Sequence, residues 1–186
     1  MTIRNVYLDT EFLRGNPTTA GLVSIGLTDD QDVSYYAVNR GMDVAAVLNE
    51  PWMVDNVWPS LPTVQGSSWP GFDTDLDYAH PDVHSVNAMQ GGIAAYFENT
   101  GADETHLYAY YGGQDIFRLH SLWDHDWSVM PDAVPCWFYD LKGLAVKRGN
   151  PSLPEQAEGA HNALEDARWN RQVHQFLLRA TRGRAS

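Results

Sequence analysis

Hydrophobic, β-branched and aromatic residues gather in three short runs near the start of the chain, residues 3–9, 21–28 and 33–38. Each run reads as a β-strand. Asp29-Asp30-Gln31 forms a turn between the second and third, so short links tie the three into an antiparallel meander. The pattern then turns helical. Residues 43–49 predict a helix with Asp43 as N-cap, and residues 51–57 a second helix that starts on Pro51. Residues 85–99 predict a longer helix, stopped by Gly101. Residues 107–111 read as a buried strand that runs through Gly112-Gly113-Gln114-Asp115 into a helix ending near Trp123. A fifth strand is expected at 136–139 and a helix at 141–148. In the last helix, 163–179, Leu164, Ala167, Trp169, Val173, Phe176 and Leu177 recur near helical spacing.

Three strands followed by alternating helix and strand predict an α/β layer fold with a mixed sheet of five strands. Residues 59–84 interrupt it. They hold Pro59, Pro62, Pro70 and Pro81 together with Asp73, Asp75 and Asp77, and they read as an irregular acidic loop. The 186 residues, 44% of them hydrophobic, suit one domain over 1–180. Residues 181–186, with Arg182 and Arg184, read as a basic tail that is disordered or touches phosphate. Seven Trp, nine Tyr and six Phe exclude a disordered chain. No apolar run approaches the ~20 residues of a membrane span. The N-terminus lacks a signal-like stretch, and the single Cys136 excludes an internal disulfide, so a reducing cytoplasm is the expected location.

The net charge of −12 is uneven. Residues 1–117 carry 16 acidic and 3 basic side chains, whereas residues 118–186 carry 8 acidic and 9 basic. A protein that grips long stretches of phosphate backbone is usually basic. This chain therefore either avoids nucleic acid or touches few phosphates and lets bound cations supply the positive field.

Three places in the sequence could carry chemistry. Asp9 and Glu11, two apart on a strand, point to the same face and repel unless a cation lies between them or one is protonated. The alternative is a solvated strand end. Asp115 follows a strand and opens a helix, where catalytic groups of α/β sheets gather; an ordinary N-cap fits as well. Gly112 suits the turn before it and would also let a ligand approach the backbone. His161-Asn162-Ala163-Leu164-Glu165-Asp166 contains a capping box between Asn162 and Glu165. Asp166 then falls in the first turns of the last helix, with His161 just ahead of it.

Asp9-x-Glu11, the later Asp115, and His161 with Asp166 five residues on resemble the DEDDh 3′-to-5′ exonucleases, a branch of the ribonuclease H-like fold. More narrowly, Tyr7-Leu8-Asp9-Thr10-Glu11-Phe12, Leu22-Val23-Ser24-Ile25-Gly26, Tyr35-Tyr36-Ala37-Val38 and Gly113-Gln114-Asp115 are similar to the polyadenylate-specific exoribonuclease AS family. The resemblance runs from residue 6 to about 177, and its main departure is a longer link over 63–84. It implies a ribonuclease H-like fold, a mixed five-stranded sheet flanked by helices. It also implies two divalent ions, Mg²⁺ or Mn²⁺, held by Asp9, Glu11, Asp115 and Asp166. Hard carboxylate oxygens without a cysteine ligand agree with those metals. His161 is the natural general base. The implied activity is 3′-to-5′ hydrolysis of single-stranded RNA to nucleoside 5′-monophosphates, with a preference for adenylate tracts and a homodimeric state.

A DNA 3′-exonuclease with the same site is the nearest alternative. An acidic, non-catalytic mimic of nucleic acid is the alternative from another class. Phe12 and Leu13 could wedge against the terminal base of the substrate or serve the core. Trp52, Trp58 and Trp69 are further stacking candidates, while His80 and His84 read as solvated.

Overall fold

The computed structural model describes residues 1–98, 101–156 and 159–182. β1 (Ile3–Phe12) pairs antiparallel with β2 (Leu22–Asp29), which pairs antiparallel with β3 (Ser34–Asn39), as the meander predicts. A hairpin of β4 (Thr63–Gln65) and β5 (Thr74–Leu76) follows, then β6 (Val83–His84), which runs parallel to β3. On the other side of β1 lies the parallel strand β7 (Glu104–Ala109), and beyond it β8 (Tyr139–Asp140), parallel to β7. The sheet is therefore mixed and six-stranded, in the order β6-β3-β2-β1-β7-β8, rather than five-stranded.

The extra strand comes from residues 59–84, which are more ordered than their prolines suggest. Trp58 and Leu76 are buried, and the Trp58 indole N–H donates to Thr74 Oγ1 at 3.1 Å. These anchors draw the hairpin onto the domain and let Val83–His84 reach the edge of β3. Two expected boundaries also move. β1 continues past Asp9 to Phe12 because β2 pairs with it that far, through a bulge at Glu11/Phe12. The strand expected at 136–139 contracts to Tyr139–Asp140, and Cys136 is exposed.

One face of the sheet carries Val6, Leu8, Ile25, Leu27 and Ala37. It packs against Met89, Ile93 and Phe97 of α3 (Val86–Glu98) and Leu119 of α4 (Gly113–Ser121). α1 (Val44–Leu48) and α2 (Pro51–Asn56) form a second apolar cluster with the hairpin and the β2–β3 end. The opposite face is crossed by α6 (Ala163–Arg182), packed on α5 (Leu141–Lys147) through Leu141, Ala145, Val173 and Leu177. Buried Ala163, Ala167, Asn170, Val173, His174 and Leu177 make one stripe along α6, the signature of a helix laid on a core. Arg182 lies within this helix, and residues 183–186 of the expected tail lie outside the described residues. No helix among the described residues is long and apolar enough to cross a membrane.

Candidate metal centre

The site begins with how closely α6 approaches β2. Gly26 pairs with Asp9 across the β1–β2 ladder, and a Cβ on Gly26 would lie 2.2 Å from the Ala163 carbonyl oxygen. Only a glycine lets the helix start rest there. Asn162 caps that start, its Oδ1 accepting from the N–H groups of Leu164 and Glu165. The capping box is half formed, since Glu165 pairs with Arg168. Asp166, in the first turn, is thereby brought over the face of β1 that carries Asp9 and Glu11.

Each acid is held in its own way. Asp166 Oδ2 accepts from the His161 backbone N–H at 2.9 Å, and its Oδ1 accepts from the Gln156 amide at 2.6 Å. His161 adopts a left-handed φ of 67°, and its Nδ1 lies 4.0 Å from Glu11 Oε1. Asp115, in the first turn of α4, comes from the other side of β1. β7 pairs with β1 only as far as Tyr7↔Tyr108, so the Thr10 N–H is free to donate to Asp115 Oδ1 at 3.0 Å. The Thr10 hydroxyl donates to the same oxygen at 2.7 Å.

Glu11, His161 and Asp166 each offer a ligand atom within 4.8 Å of the others, a group that could hold a metal ion. Asp9 and Asp115 stand outside this triplet but within its field. Burial, followed by the charges of Asp115, Asp166 and Glu11, holds the Asp9 carboxyl well above the usual range. Burial and the charges of Asp166 and Asp115 push Glu11 up to about 8. Burial raises Asp115 to about 7 against the lowering effect of its Thr10 bonds, and burial also raises Asp166. Every influence on Asp9 and Glu11 acts upward. Four carboxyls so arranged cannot all ionise without added positive charge. The Glu11 and Asp166 oxygens and the His161 imidazole are the donors placed to supply that charge by holding a metal ion.

Beside Glu11 opens a cleft of about 610 Å³, bounded by the Phe12–Asn16 segment on one side and by Asp43, Trp52 and Met53 on the other. Phe12 and Leu13 both line it, although Leu13 also belongs to the core around α1 and α2. Of the tryptophans proposed for stacking, Trp52 lines this cleft, Trp69 lines a neighbouring depression and Trp58 is buried. Gly112 does not face the cleft. It is buried with an ordinary φ of −63°, and a Cβ there would meet Ala109 at 2.5 Å and Phe138 at 2.6 Å. Its missing side chain therefore serves packing.

Three contributors escape a reading of the sequence. Gln156 lies in a Pro-rich link with nothing to mark it, and Ser60 reads as ordinary loop. Arg118 is more legible, as a charged residue at core spacing between Asp115 and Leu122 on a short helix. It is almost fully buried, donates to the carbonyls of Leu13 and Asn16, and lies under the Phe12 ring. It thus anchors the cleft wall that follows the strand. No protein-family model matches the chain, and no curated protein does.

Proposed function

We propose that this protein is a metal-dependent 3′-to-5′ exoribonuclease of ribonuclease H-like fold, cleaving single-stranded RNA from its 3′ end to nucleoside 5′-monophosphates. The observation that carries the reading is the convergence of Asp9, Glu11, Asp115 and Asp166 with His161 at one end of the sheet, beside a nucleotide-sized cleft. Two divalent ions held by the four acids would supply the positive charge that a phosphodiester needs and that this acidic chain lacks. His161, partly exposed next to Glu11, would accept the proton of the attacking water. Attack at phosphorus then expels the 3′-oxygen of the penultimate nucleotide. Thr10 holds Asp115, and Gln156 and the His161 N–H hold Asp166, so that the carboxylates keep their positions when the RNA binds. Phe12 offers a face for the terminal base. The preference for adenylate tracts and the homodimer belong to this reading through the resemblance of the motifs.

The mimic reading leaves the buried acids without a role: Glu11 and Asp115 are 7% and 5% exposed, whereas Asp30, Asp32, Asp43, Glu50, Asp55 and Asp73 would carry a decoy's charge at the surface. The test is digestion of 5′-labelled A-, U- and C-homopolymers, with matched DNA, with and without Mg²⁺. Shortening from the 3′ end only with the metal is expected. Equal loss of RNA and DNA would move the reading to the DNA nuclease, and no shortening at all would end it.

A further inference from the structure

His161 is held at its backbone from two sides. Its N–H donates to Asp166, and its carbonyl oxygen lies 2.8 Å from Ser60 Oγ, whose single proton is shared with the Val57 carbonyl. These bonds tie the loop before α6 to the short turn that follows α2, and they hold His161 in its left-handed conformation. The imidazole itself is 39% exposed. Among the described ring contacts, the one that reaches it is the Trp52 indole, edge-on at 4.9 Å between centroids. Trp52 is also a wall of the cleft, with the Arg14 guanidinium 5.8 Å from its ring. One indole thus borders both the imidazole and the space beside Glu11.

We propose that Trp52 and Ser60 are positioning residues for His161, Ser60 fixing its backbone and Trp52 setting its ring against Glu11. The catalytic part of this inference rests on the exonuclease reading. The positional part does not. Because Trp52 is exposed enough to change without emptying a core, Trp52→Ala keeps the fold, and Trp52→Phe keeps an aromatic edge.

In NOE spectra of the full chain, contacts between the His161 ring and the Glu11 side chain are expected in wild type and Trp52→Phe. They should be lost in Trp52→Ala and weakened in Ser60→Ala. In single-turnover hydrolysis at saturating RNA, Trp52→Ala should slow the rate about ten- to a hundredfold, the scale of misplacing a catalytic group, and Trp52→Phe should restore it. In a His161→Ala background the same substitution should have no further effect, because Trp52 acts through the imidazole. Persistence of the NOEs in Trp52→Ala overturns the proposal, as does an equal loss of rate in both backgrounds, which would assign Trp52 to the RNA alone. If wild type hydrolyses nothing, the exonuclease reading fails, and the NOEs still decide whether Trp52 holds the ring.

Discussion

The two ends of the central sheet are both acidic, and they treat their carboxylates differently. At one end, Asp29, Asp30 and Asp32 surround the β2–β3 turn. Arg4 meets Asp29 at 2.8 Å, and Asp29 Oδ1 accepts from the N–H groups of Gln31 and Val33. Arg171 donates to the Asp29 carbonyl and pairs with Asp32 at 2.6 Å, while the Tyr7 hydroxyl bonds Asp30. At the other end, Asp9, Glu11, Asp115 and Asp166 meet one another with hydrogen bonds to some oxygens and no arginine in the group. The first cluster is complete as it stands. The second keeps protons on its acids unless a cation joins them, and that distinguishes a candidate site from a structural ion-pair network.

The contrast can be broken most severely at Asp9. Asp9→Asn should reduce hydrolysis to background, yet at pH 8 without metal it should melt no lower than wild type, since it removes repulsion rather than packing. An RNase assay beside a thermal melt checks both halves. A second test uses pH. Glu11 at about 8 and Asp115 at about 7 hold protons in the folded state that the unfolded chain has already released. Stability contributed by those protons is present below the ordinary carboxylate range and is lost as pH rises through about 7 to 8. Metal-free protein should therefore become less stable from pH 5 to pH 8 by urea melts, and Mn²⁺ should recover more stability at pH 8 than at pH 5. Equal metal effects at both values would contradict a carboxylate-held ion.

The complete cluster should respond in the opposite way. Arg4→Ala leaves Asp29, 3% exposed, without its cation, and should cost about 3–5 kcal/mol in denaturant melts while leaving the rate per folded molecule unchanged. The mildest expected change is Gln156→Ala. It removes one hydrogen bond to Asp166 and should weaken Mn²⁺ binding by about ten- to a hundredfold in calorimetry, with little change in melting.

Much of this was readable because the relevant signals are local. The β1–β2–β3 meander, the capped start of α6 and the same-face spacing of Asp9 and Glu11 need only neighbouring residues. The misjudged features depend on remote partners. β1 runs on to Phe12 because of where β2 begins, and the hairpin within 59–84 forms because Trp58 and Leu76 find a core. Gly112 reads equally as a ligand approach or a packing gap until Phe138, far along the chain, is seen against it. Gln156 and Ser60 carry no pattern at all, since a single hydrogen bond to a distant atom leaves no period in the sequence.

The contact of α6 with Gly26 also governs when the acids first meet. Asp9 and Asp166 are separated by most of the polypeptide, so the cluster cannot close while residue 166 is still within the ribosome. Until then each carboxylate is hydrated, and the mutual repulsion is deferred to a late docking step between the beginning and end of the domain. A nascent chain of this protein would carry its sheet and most of its helices before its four acids could gather into one cluster.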